Sequence, residues 1–149
     1  AGAAAVIDTH GMRPQRVTRI SDLWAGDPLS DPQHPAAVLF RGTENVVSAC
    51  RAQGVKKIVR VTGLAVGLPW WHWARLVFGA LLSGTPHWNS LAEQAIRASG
   101  LDYTVVRPGG LKDLPPAAQA GDTLLLGSAA WGDVQPPLTT GISRDDVAE

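Results

Sequence analysis

Twice in this chain a run of helical period ends at a glycine and gives way at once to a short β-branched strand, a repeat that constrains the fold more than any other feature. In one copy Leu39, Thr43, Val46, Val47 and Cys50 share a face from Ala36 onward, Gly54 ends the helix, and a strand over Val55 to Thr62 stops at Gly63. In the other, Leu91, Ala95, Ile96 and Ser99 recur at helical spacing and Gly100 supplies a left-handed stop. The apolar run Tyr103-Thr104-Val105-Val106 follows, reads as a buried strand, and is ended beyond Arg107 by Pro108-Gly109-Gly110. Strands reached through helices belong to a parallel sheet built of βα crossovers, and such sheets bind ligands at the carboxyl ends of their strands. Ser90-Leu91-Ala92-Glu93 has the form of a capping box and predicts that the second helix opens there.

Ala3 to Ile7 is a short apolar run ending in Asp8-Thr9-His10-Gly11, a strand entering a loop. Met12 to Pro35 shows no sustained period and reads as a long loop, in which Arg13, Arg16 and Arg19, followed by Asp22, Asp27 and Asp31, form a solvated surface. Leu64 to Trp88 carries Trp70, Trp71, Trp73 and Trp88 and predicts a short helix over Arg75 to Leu82. A bilayer span needs about 20 consecutive apolar residues, and His72 and Arg75 interrupt this run. Three readings stay open for it: a flap over a flat aromatic substrate, a membrane or protein contact through Trp70, Trp71 and Trp73, or an ordinary core segment. After Leu111, Leu124-Leu125-Leu126 and Pro137 to Ile142 predict two short strands paired antiparallel, and Ser143 caps the opening of a last helix that the chain leaves unfinished.

At 149 residues the chain is expected to form one domain over 1–149. Thirteen basic side chains balance thirteen acidic ones, so no basic field points to nucleic acid. The single cysteine, Cys50, excludes an internal disulfide, reads as a small buried hydrophobe, and fits a cytoplasmic setting. No secretory leader is evident in AGAAAVIDTH, and the start without Met suggests a partial chain. His10, His34, His72 and His87 show no metal-ligand spacing with one another or with Cys50, so no metal is expected.

The blocks GTENVVSACRAQGVKKIVRVTGLAVG and EQAIRASGLDYTVVRPGGL resemble the atypical short-chain dehydrogenase/reductases, the NmrA-like and flavin-reductase-like branch of the NAD(P)-binding Rossmann proteins. The resemblance implies a three-layer α/β domain with a parallel sheet, here truncated: Ala3 to Thr9 corresponds to the fourth strand, the earlier strands are missing, and the C-terminal helix is cut. It implies NAD or NADP as cofactor, a small aromatic or flavin- or quinone-like substrate, and an oxidoreductase. It also implies that the loops Thr9-His10-Gly11, Thr62-Gly63 and Pro108-Gly109-Gly110 touch ribose, nicotinamide and substrate. Thr62, His10 and His87 are the candidates for catalysis.

Two absences bear on this. No glycine-rich turn joins a first strand to a first helix, where backbone amides would hold a pyrophosphate. Nor is there a Tyr-x-x-x-Lys pair: Tyr103 is the sole tyrosine, and the position four before Glu93, often lysine in the family, is Asn89. Direct hydride transfer to a flavin-like acceptor stays open, beside a non-catalytic sensor or assembly role and a peripheral membrane role. With its neighbouring strand gone, the first strand is expected to be a bare edge and the chain alone to be marginally stable.

Overall fold

Short glycine-ended links between helix and strand leave the strands no choice but to run side by side in one direction. In a computed structural model that describes residues 2–12, 20–113 and 141–148, β1 (Ala5–Asp8), β2 (Lys57–Val61) and β3 (Asp102–Val106) pair in parallel in the order β1-β2-β3. Ala5 stands beside Lys57 and Lys57 beside Asp102, so residues at matching register share a face of the sheet. The first crossover runs through a π-helical segment, Ala36–Arg41, directly into α1 (Gly42–Ala52). The second passes through a 3-10 turn, Leu64–Gly67, then α2 (Trp73–Leu81) and α3 (Thr85–Arg97).

Val47 of α1 and Ile96 of α3 pack on Ile58 of β2, with Val46 and Leu101 around them. Both helices therefore cover one face of the sheet, as two successive right-handed crossovers in the same direction require. Cys50 is buried in α1, as expected. On the opposite face Ile7 is 72% exposed, with Val59 beside it in register. Among the described residues β1 and β3 each pair on one side only.

That arrangement corrects one expectation: Asp102, Tyr103 and Thr104 of β3 are exposed, because helical cover reaches a single face and a single strand flanks them among the described residues. Tyr103 lies against α3 instead, where Arg97 stacks over its ring at 5.3 Å and donates to its hydroxyl at 3.0 Å.

The start of α3 is a second correction. It opens at Thr85 after the left-handed Gly84 (φ 72°), with Pro86 in its first turn, so Ser90 and Glu93 lie mid-helix and form no capping box. Ile96 of the expected apolar face is buried, but Asn89, Ala92 and Glu93 share its burial, because the two polar residues find partners inside.

Beyond Arg107, Gly110 opens a strand where a loop was expected: β4 (Gly110–Lys112) pairs in parallel with β5 (Gly141–Ser143), which leads into α4 (Arg144–Ala148). The expected strand at Leu124-Leu125-Leu126 and the Arg13, Arg16 and Arg19 cluster lie outside the described residues.

Candidate functional site

Three parallel strands place their carboxyl ends along one edge, so the loops at Thr9 to Gly11, Thr62-Gly63 and Pro108 to Gly110 share a rim. Backbone bonds join the last two: Thr62 N–H donates to Val106 O at 2.9 Å and Leu64 N–H to Pro108 O at 3.0 Å. The loop after β1 is tied in through Arg60, whose Nη1 donates to the His10 carbonyl at 3.1 Å. A Cβ added at Gly63 or Gly110 would meet nothing within 4 Å, so open space lies at both positions.

Two buried charge clusters underlie this rim. Alternation along β2 turns Ile58 and Arg60 to the helical face, and Arg60 is only 1% exposed. Its Nη1 lies 3.0 Å from Asp8 Oδ1, and its Nη2 donates to Asn89 Oδ1 at 3.1 Å. Burial lowers the pKa of Arg60, opposed by the Asp8 charge. Burial raises that of Asp8, but the His10 hydrogen bond and the Arg60 charge outweigh it and hold the carboxyl below its ordinary 3.8. Asp8 Oδ2 and Arg60 Nε are buried without a hydrogen-bond partner among the described residues.

His10 closes this cluster. Its Nδ1 lies 2.5 Å from Asp8 Oδ1 and its Nε2 3.0 Å from the Val38 carbonyl, so both ring nitrogens are engaged within the protein. The ring thus anchors the first loop to the π-helical segment that leads into α1. It also accounts for Gly42, where a Cβ would stand 3.2 Å from His10 Nε2.

The second cluster centres on Glu93, one helical turn beyond Asn89 and fully buried. Its Oε1 accepts from the Thr62 hydroxyl at 2.7 Å and from Arg107 Nε at 3.1 Å, and its Oε2 from Arg107 Nη2 at 2.6 Å. Arg75 donates to the Leu68 carbonyl at 2.6 Å, tying the start of α2 back to the loop after β2. Burial lowers the pKa of Arg75, partly offset by the charge of Glu93.

Of the remaining candidates, His87 sits exposed in the first turn of α3 with its ring 4.9 Å from that of Trp88. Partial desolvation and the Arg75 charge hold it below the usual 6.5. His34 is a core residue whose Nδ1 accepts from Ala36 N–H at 3.0 Å. Trp70, Trp71 and Trp73 are 72%, 66% and 67% exposed, which overturns the core reading of that segment for these three rings. His72 caps α2, its Nδ1 accepting from Ala74 N–H at 3.2 Å. Among the described residues no helix is long and apolar enough to cross a membrane, and no group of three His, Cys, Asp or Glu is placed to hold a metal. A concavity of about 500 Å³ lined by Arg51, Lys56, Ser99 and Asp102 opens at the strands' amino ends, opposite the rim where parallel sheets bind ligands.

Asp8, Arg60, Asn89, Glu93 and Arg107 were not among the expected site residues. One signal was available for Arg60: a charge two residues from Ile58 falls on the same strand face as a core residue and demands a buried partner.

Comparison with known proteins supplies a context for this rim. A family model described as NAD(P)H-binding matches residues 1–149. The chain is similar to an uncharacterised chloroplast protein of Arabidopsis thaliana, 41% identical over 122 residues covering 72% of this chain and 36% of that protein. It is similar to sanguinarine reductase of Eschscholzia californica, 34% identical with 78% of this chain and 40% of that protein covered. It is similar to the chloroplast protein TIC 62 of Pisum sativum, 37% identical with 56% of this chain and 15% of that protein covered. The chain thus spans well under half the length of these relatives. A solved structure described as an NAD-dependent epimerase/dehydratase from Bacillus halodurans matches with a TM-score of 0.57 at 21% identity, covering 83% of this chain and 51% of that one, a likeness of fold.

Proposed function

This chain belongs to the NAD(P)H-binding family, and from that premise we propose that its rim receives the nicotinamide and ribose end of NADH or NADPH, as part of an atypical short-chain reductase acting on a small, flat acceptor. The observation that carries this is the rim itself: three parallel strand ends, open space at Gly63 and Gly110, and the half-buried Thr62 between them. The residues present fit that half of the cofactor. The chain has no glycine-rich turn for the pyrophosphate. When bound, the nicotinamide supplies hydride. The protein's part is to hold the ring over Gly63 and Gly110 and to keep the rim rigid through the Asp8–Arg60 and Glu93–Arg107 pairs.

Saturation-transfer NMR with NADPH tests this. The nicotinamide protons should receive magnetisation from the protein, and Gly63→Trp, which fills the open space, should abolish the transfer. Undiminished transfer in that variant would place the cofactor elsewhere.

Two other readings keep specific support. The missing Tyr-x-x-x-Lys pair and the engaged ring of His10 favour a non-catalytic NAD(P)-binding sensor or assembly factor, which NADPH oxidation with a quinone or flavin would rule out. The exposure of Trp70, Trp71 and Trp73 favours a peripheral membrane or protein contact. If wild-type protein fails to float with phosphatidylcholine vesicles, the membrane form of that reading is eliminated.

A further inference from the structure

Thr62 is the polar side chain that β2 delivers to the rim, and its one hydroxyl hydrogen already has a destination. It points at Glu93 Oε1, 2.7 Å away. Glu93 is fully buried, and Arg107 approaches its two oxygens at 3.1 and 2.6 Å. An ion-paired carboxylate accepts hydrogen bonds and donates none. For the Thr62 hydrogen to swing outward, a fully buried carboxylate would lose one of its donors, a costly change. The backbone of Thr62 is fixed as well, since its N–H is bonded to Val106 O at 2.9 Å. What the half-buried hydroxyl presents to the rim is therefore its lone pairs.

We infer that Glu93 is a positioning residue that turns Thr62 into a hydrogen-bond acceptor, so that the rim selects a ligand group that donates there, an amide NH₂ or a hydroxyl, over a carbonyl oxygen. Thr62 is then not the acid that protonates or polarises a carbonyl. The inference rests on the reading that the rim takes the nicotinamide end of the cofactor.

The test uses the full chain and two small probes, nicotinamide and 3-acetylpyridine, which differ in replacing the amide NH₂ by a methyl group. NMR of the isotope-labelled protein should first show a Thr62 hydroxyl proton slow enough in exchange to be observed, and lost in Glu93→Ala. Titration should then show nicotinamide binding tighter than 3-acetylpyridine by about fivefold, the size of one ordinary hydrogen bond. Thr62→Val should erase that preference and Thr62→Ser should keep it. Glu93→Gln, whose amide can donate to Thr62 and release the hydroxyl hydrogen, should narrow or invert it. If that variant does not fold, the Val and Ser pair decides. A hydroxyl proton exchanging at solvent rate, or equal or tighter binding of 3-acetylpyridine to wild type, overturns the inference and leaves the NAD(P)H reading standing. If neither probe perturbs the Thr62 and Gly63 resonances, both fall.

Discussion

Replacing Glu93 by alanine should destabilise this protein more than any exposed charge deletion, and the structure sets the size of the loss. The carboxylate is fully buried and serves three donors, the Thr62 hydroxyl and two nitrogens of Arg107. Removing one partner of a buried ion pair costs about 3–5 kcal/mol, because the other charge stays desolvated. Arg107 keeps 19% of its side chain exposed and can turn toward water, so the lower end applies, about 3 kcal/mol. For a chain of this size that corresponds to a fall in Tm of roughly 6–12 °C, measured by circular dichroism alongside urea titration. Arg107→Ala should cost more, toward about 5 kcal/mol, since the carboxylate it leaves is fully buried and keeps only the Thr62 hydroxyl of its three donors. The double variant Glu93→Ala/Arg107→Ala should cost less than the two single losses together, giving a coupling energy of about 2 kcal/mol or more. A loss below about 1 kcal/mol for Glu93→Ala, or double-variant costs that merely add, would refute the view that this pair holds the rim together.

Acid should act through Asp8. Its native pKa lies below the ordinary 3.8, so its stabilising effect is complete above that value and is lost as pH falls from there through the native value. Asp8→Asn should remove that part of the acid dependence in a denaturation series. Asn89→Lys should destabilise by about 3 kcal/mol, because it buries a second cation beside Arg60, and urea unfolding would show it. By NMR, His87 should titrate below 6.5 and Arg75→Met should raise it, one of its two depressing causes having been removed.

β1, β2 and β3 and their order of appearance were legible because β-branched runs between glycines admit little else, and α1 because Val47 and Cys50 recur at helical spacing. The start of α3 was misplaced because Ser90 and Glu93 imitate a cap, when Gly84 and Pro86 hold the stronger signal. The exposure of β3 was not legible, since burial of a strand depends on what flanks it and not on its own residues. The Trp-rich segment announced an unusual surface without saying which way its rings face.

Local chemistry therefore determined, from the sequence alone, that the chain alternates helix and parallel strand and brings Thr9, Thr62 and Pro108 to one edge, because side-chain period and glycine stops act over a few residues. Only the tertiary structure decided that Asp8 would meet Arg60 and that Glu93 would meet both Thr62 and Arg107. Those pairings join residues far apart in the chain, and a buried charge is tolerable only where the fold supplies its partner.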